Sequence, residues 1–129
     1  MMKIIGNGVD IVKNSRIKKL ISNKKFIQRI YSRSEINLSK KIRNKGAYFA
    51  KRFAAKEAFV KSLGTGFRNG INFKDISVAN TSYGKPKIFL NKKVKKIIDK
   101  KFKLKKFKIF LSLSDEKKYS IAFVVINKN

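Results

Sequence analysis

The run Gly46-Ala-Tyr-Phe-Ala-Lys-Arg-Phe-Ala-Ala-Lys-Glu-Ala-Phe-Val-Lys-Ser-Leu63, with Gly64 behind it, decides the fold. Ala47, Phe49, Ala50, Phe53, Ala54, Ala58, Val60 and Leu63 recur at helical spacing and build one broad apolar face. Gly64 supplies a stop at the position after the helix end, where the backbone turns left-handed. The spacing predicts a long helix over 46–63 with a wide face to be covered.

Working outward, residues 3–12 read as a short β-branched strand weakened by Gly6 and Gly8. Strand periodicity puts Gly6, Gly8 and Asp10 on one face, and two glycines beside a carboxylate leave room for a bulky group to approach it. The plainer reading is an edge strand with a solvated Asp. Asn14 or Ser15 can cap a helix starting near Arg16, with Ile17, Leu20 and Ile21 on one stripe. A second piece carries Phe26, Ile27, Ile30 and Tyr31, while Arg16, Lys18, Lys24, Lys25 and Arg29 occupy the opposite face. Ser34-Glu35 opens a third stretch ending near Asn44.

Beyond the long helix, residues 64–70 form a glycine-rich loop with many potential backbone donors. Strands are expected at 73–79 and 87–90 around the Gly84-Lys85-Pro86 turn, with a basic helix at 91–101. Lys108 to Leu113 and Tyr119 to Ile126 read as an antiparallel hairpin. The order is α+β: an antiparallel sheet packed on a long helix, in one domain spanning 1–129.

The chain of 129 residues carries 34 Lys or Arg against 7 Asp or Glu, with no His and no Cys. The two zeros exclude disulfides, thiolate metal sites, thiol nucleophiles and imidazole catalysis. Any metal must be held by oxygen, which selects a hard cation such as Mg²⁺. The candidate ligands are Asp10, Glu35, Glu57, Asp75, Asp99, Asp115 and Glu116. The formal charge of +27 asks for an anionic partner, although a lysine-rich composition can also arise without one. No apolar run reaches the length of a membrane span, and the N-terminus lacks a stretch long enough for a secretion signal. A cytoplasmic chain is expected.

Glu57 lies beside the packed face of the long helix, four residues after Phe53 and four before Lys61. Two readings follow from that spacing. Glu57 either pairs with Lys61 and tethers the helix, or it binds a cation while Lys61, Arg52 and the glycine loop bind phosphate.

Arg52-Phe-Ala-Ala-Lys-Glu-Ala-Phe-Val-Lys-Ser-Leu-Gly-Thr-Gly-Phe67 resembles the signature of the holo-[acyl-carrier-protein] synthases, a family of 4′-phosphopantetheinyl transferases. Gly6-Asn-Gly-Val-Asp10-Ile-Val with Arg16-Ile resembles the family's first motif, Gly84-Lys85-Pro86 its inter-strand turn, and Leu111-Ser-Leu-Ser-Asp115-Glu116 with Tyr119 its C-terminal motif. The resemblance covers nearly the whole chain. It implies Mg²⁺-dependent transfer of the phosphopantetheine arm of coenzyme A to a serine of apo acyl carrier protein, releasing adenosine 3′,5′-bisphosphate, in support of fatty acid biosynthesis. Asp10 and Glu57 would then be the Mg²⁺ ligands, with Glu57, directly or through a bound water, the candidate general base. Arg52, Lys61, Gly64, Thr65, Gly66 and Pro86 would line the coenzyme A site. Arg16, Lys24, Lys25 and Arg29 would meet the acidic carrier protein. Asp115, where some members carry His, would be adjacent to the site. The family is typically a homotrimer with active sites at subunit interfaces, which implies that Asp10 and Glu57 meet within one subunit and the loop lies near a neighbour.

The competing reading is a basic nucleic-acid-binding module of ribosomal type, resting on the charge and on Phe102, Phe107 and Phe110 interleaved with lysines. The chain shows neither an RNP-type aromatic motif nor a helix-turn-helix signature. Neither a nucleic-acid nor a membrane partner is expected.

Overall fold

Small side chains along one long helix let it lie almost directly on a sheet. In the computed structural model, which describes residues 2–67 and 70–128, this helix is α4 (Lys45–Leu63), capped by Asn44 at its start and by Gly64 with φ 78° at its end. Arg68 and Asn69 of the glycine loop lie outside the described residues. Twelve of the 19 residues of α4 are buried, including polar Arg52, Lys56 and Ser62, so it is covered on several sides rather than on one apolar face.

One layer is a three-stranded antiparallel sheet in the order β1 (Lys3–Lys13), β5 (Tyr119–Lys128), β4 (Phe107–Asp115). The strands alternate as their sequences require: Ala122, Val124 and Ile126 face inward, while Ile121 and Phe123 face out. A second antiparallel pair, β2 (Ile76–Asn80) with β3 (Pro86–Leu90), is separate, so the expected single sheet is divided into two. The expected strand at 73–79 begins with a 3₁₀ turn at Phe73–Asp75, because Asp75 accepts from the Asn72 N–H at 3.1 Å and closes a capping box.

The other side of α4 is covered by α1 (Asn14–Leu20), α2 (Lys24–Ile30) and α3 (Arg33–Ser39), with α5 (Lys92–Phe102) packing through Val94 and Ile98. Fully buried Phe59 and Ile17 each contribute roughly 1.5–3 kcal/mol of transfer free energy. Neither Asn14 nor Ser15 caps α1; Lys13 holds that place. The Asn14 amide instead donates to the carbonyls of Glu116 and Lys117, at 3.0 and 3.2 Å, and ties α1 to the β4–β5 turn. The third helix stops at Ser39, short of the expected Asn44, where the Ser39 hydroxyl donates back to Ile36 O.

A buried ion pair joins the layers. Lys56 Nζ lies 2.7 Å from Glu35 Oε1 and also donates to the carbonyls of Phe73 and Ile76, while Glu35 accepts from the Val78 and Ser32 N–H groups, both at 2.8 Å. Both side chains are fully buried. Burial pulls the Lys56 pKa down against the opposing pull of Glu35. Losing either partner would leave an uncompensated charge at a cost of about 3–5 kcal/mol.

Candidate functional site

The face shared by Gly6, Gly8 and Asp10 meets α4. A Cβ on Gly6 would stand 2.0 Å from Ser62 O, and one on Gly8 would stand 2.0 Å from Ala58 O. The group that the glycines admit is therefore the backbone of α4 itself, not a ligand. This close approach places Asp10 beside the outer turns of α4, where Glu57 and Lys61 emerge.

Lys61 Nζ donates to Asp10 Oδ1 at 3.0 Å and to Val9 O at 3.1 Å. The tether to Glu57 suggested by spacing is absent among the described ion pairs, since Asp10 takes the ammonium instead. The Lys61 side chain is half-exposed, so this pair is worth no more than about 1 kcal/mol and another anion can replace Asp10. Half-buried Glu57 has its carboxyl pushed above the usual carboxylate range, first by desolvation and then by the negative charge of Asp10, against the pull of Lys61 and Arg16. Two neighbouring carboxylates, the charge of one raising the cost of ionising Glu57, flanked by a half-exposed ammonium, suit a hard cation. Among the described residues no third acidic, His or Cys ligand joins them, so a cation here would need oxygen from substrate and water.

The loop candidates Gly64, Thr65 and Gly66 follow directly from the Lys61 end of α4, and Gly64 and Gly66 both hold positive φ. Arg52 and Pro86 lie elsewhere. Arg52 precedes Lys61 by two and a half helical turns, which puts the two on opposite sides of α4. Its guanidinium stacks 3.7 Å over the Tyr48 ring, donates to Asn80 Oδ1 at 3.1 Å, and leaves a buried Nε without a partner among the described residues. Asn80 in turn donates to Gly84 O at 2.8 Å, so Arg52 braces the turn leading into Pro86. Within one chain the six residues thus form two groups: Lys61 with the loop beside the carboxylates, and Arg52 with Pro86 at the β2–β3 corner.

Arg16, Lys24, Lys25 and Arg29 are all exposed on α1 and α2. Arg16 sits 6.0 Å over the Phe53 ring and close enough to Glu57 to lower its pKa, so the basic face abuts the carboxylates. Asp115 is the last residue of β4 rather than a turn residue, and it pairs with Lys51 of α4 at 3.6 Å. The sequence does not single out Lys51 or Lys56, and it offers Glu35 only as a possible oxygen ligand at the start of a helix, whereas the structure buries it against Lys56. A lysine at position 56 within the apolar rows of α4, and the Ser32-x-x-Glu35 pattern of a capping box, are signals that could have found the buried pair.

Residues 6–124 match a family model described as the 4′-phosphopantetheinyl transferase superfamily. A holo-[acyl-carrier-protein] synthase of Pelagibacter ubique is 58% identical over 127 residues, covering 98% of this chain and 99% of that protein. Crystal structures of similarly named enzymes superpose closely. That from Neisseria meningitidis has a TM-score of 0.87 at 36% identity, covering 96% of this chain and 98% of the other. That from Bacillus anthracis, in complex with CoA (3′,5′-ADP), has a TM-score of 0.82 at 33% identity and full coverage of both chains.

Proposed function

The chain belongs to the 4′-phosphopantetheinyl transferase superfamily, and from that premise we propose that it transfers the phosphopantetheine arm of coenzyme A to a serine of an apo acyl carrier protein. The observation that carries the reading is the Asp10–Glu57 pair with Lys61 beside it, at the three motif positions where the chemistry needs carboxylates and a cation.

The serine oxygen attacks the β-phosphorus of coenzyme A, and the bond from that phosphorus to the bridging oxygen breaks, releasing adenosine 3′,5′-bisphosphate. Asp10 and Glu57 would hold Mg²⁺, which supplies charge neutralisation at the pyrophosphate. Lys61 exchanges its weak pair with Asp10 for a phosphate oxygen. Glu57, directly or through a bound water, is the candidate acceptor of the serine proton, since the chain holds no imidazole; such a role is worth about 10²–10⁴-fold. Arg16, Lys24, Lys25 and Arg29 orient the acidic carrier so that its serine enters beside Glu57. The product serves fatty acid biosynthesis in the cytoplasm. No described helix is long and apolar enough to cross a membrane.

A homotrimer completes the site in this reading. The outward face of the three-stranded sheet exposes Val9 at 54%, Ile11 at 59% and Phe123 at 45%, joined by Ile121 across the register. So large an apolar face supports burial against other copies. The separation of Arg52 and Pro86 from the carboxylates supports a site shared between neighbours, one supplying the β2–β3 corner and the other Asp10, Glu57 and Lys61.

The test is direct. Apo acyl carrier protein incubated with the protein, coenzyme A and Mg²⁺ gains the mass of one phosphopantetheine arm; an unchanged carrier mass overturns the proposal.

A further inference from the structure

The division of the sheet leaves an open groove between the facing edges of β3 and β4, with α5 along one side. Its volume is about 1130 Å³, a little above the usual range of about 300–1,000 Å³ for a small-molecule site. Buried Ile88, Leu104 and Leu111 form its floor, and exposed Phe89 and Phe110 stand at its lip. Five residues of β3 give that floor a length of about 16 Å. Among the described residues seven lysines line the groove and its only acidic residue is Asp99. Among the described residues none of those lysines forms an ion pair, in contrast to Lys51, Lys56, Lys61 and Lys93, which do.

An apolar trough rimmed by uncompensated cations is complementary to one kind of ligand. We propose that the groove between β3 and β4 binds a single-chain anionic amphiphile, its alkyl chain along the floor and its head group among the lysines. Nucleic acid would use the lysines and leave the apolar floor in water. A neutral lipid would use the floor and leave the cations unmatched. A chain with an anionic end satisfies both halves of the surface at once. The proposal does not rest on the transfer reaction, because none of the residues named for that chemistry lies in the groove except Pro86 at its end.

Calorimetric titration of the intact protein with dodecanoate and with dodecyl phosphate, below their micellar concentrations, tests it. Saturable binding at one molecule per chain is expected, and the tighter of the two head groups identifies carboxylate or phosphate as the natural one. Decanoate should bind up to about fifteenfold more weakly than dodecanoate, at about fourfold per methylene buried. Lys96→Glu combined with Lys106→Glu should weaken binding about tenfold, as should Phe89→Ser, with the far-ultraviolet circular dichroism unchanged in both. Four results would overturn the proposal. They are equal binding of butyrate or inorganic phosphate, equal binding of dodecyltrimethylammonium, displacement of the amphiphile by coenzyme A or by RNA, and unchanged affinity in the variants.

Discussion

Replacing Gly8 with Ala adds one methyl group at the point where β1 touches α4. The new Cβ would lie 2.0 Å from Ala58 O and 2.8 Å from Ser62 N, both backbone atoms that no rotamer change can move. Ordinary contact begins at 3.4 Å, so strand and helix must separate by about 1.4 Å. Overpacking of this kind costs about 1–3 kcal/mol, and a backbone-to-backbone clash belongs at the upper end. For a domain of this length that lowers Tm by roughly 10–15 °C. Asp10 rides on the displaced strand, two residues along and on the same face, so it moves away from Glu57 and Lys61. A misplacement of about 1 Å in a reacting centre can reduce turnover about 10²-fold. Thermal unfolding followed by circular dichroism gives the first quantity, and the rate of carrier modification at a temperature where the variant is folded gives the second. A Gly8→Ala protein with the parental Tm and rate would refute the reasoning that the glycines serve helix approach.

Three further outcomes are expected. Because folding raises the pKa of Glu57, the folded state holds that proton more tightly, and stability is lost as pH rises from the unfolded value through the folded one. Glu57→Gln should therefore have a higher Tm than the parent at neutral pH, converging with it near pH ~3, and Mg²⁺ should raise Tm only in the parent; a pH-independent difference would contradict this. Phe123→Asp places a charge on the exposed sheet face and should convert the proposed trimer to monomers in sedimentation analysis, whereas an unchanged trimer mass would move the subunit contact elsewhere. Lys24→Glu with Lys25→Glu should raise KM for the carrier about tenfold or more while sparing coenzyme A affinity, and unchanged carrier kinetics would relocate the docking face.

Where local rules govern, the sequence is readable. Helical spacing and Gly64 place α4 to within a residue, and the alternation in 108–126 places the β4–β5 hairpin with its inward Ala122, Val124 and Ile126. Asp10 and Glu57, singled out by motif position, lie close enough in the fold for the charge of Asp10 to raise the Glu57 pKa. The failures involve groups whose partners are distant in the chain. Asn14 has the side chain of a helix cap, but the β4–β5 turn, about a hundred residues away, competes for its amide. Lys61 is spaced to reach Glu57, yet Asp10 and Val9 O on another element take its ammonium. Lys56 and Glu35 look like surface charges until β2 closes over them and supplies carbonyls and an N–H. The two glycines of β1 are visible in the sequence, whereas the backbone they admit is not.

In the proposed reaction Asp10 and Glu57 together form the reacting centre. Initial rates of phosphopantetheine transfer, read from the intact mass of the carrier at saturating coenzyme A and Mg²⁺, test that claim most directly in Asp10→Asn and Glu57→Gln. Each variant should fold and lose at least about 10²-fold in rate, with no additive loss in the double variant because the two act as a unit. Transfer at the parental rate by either one would contradict it.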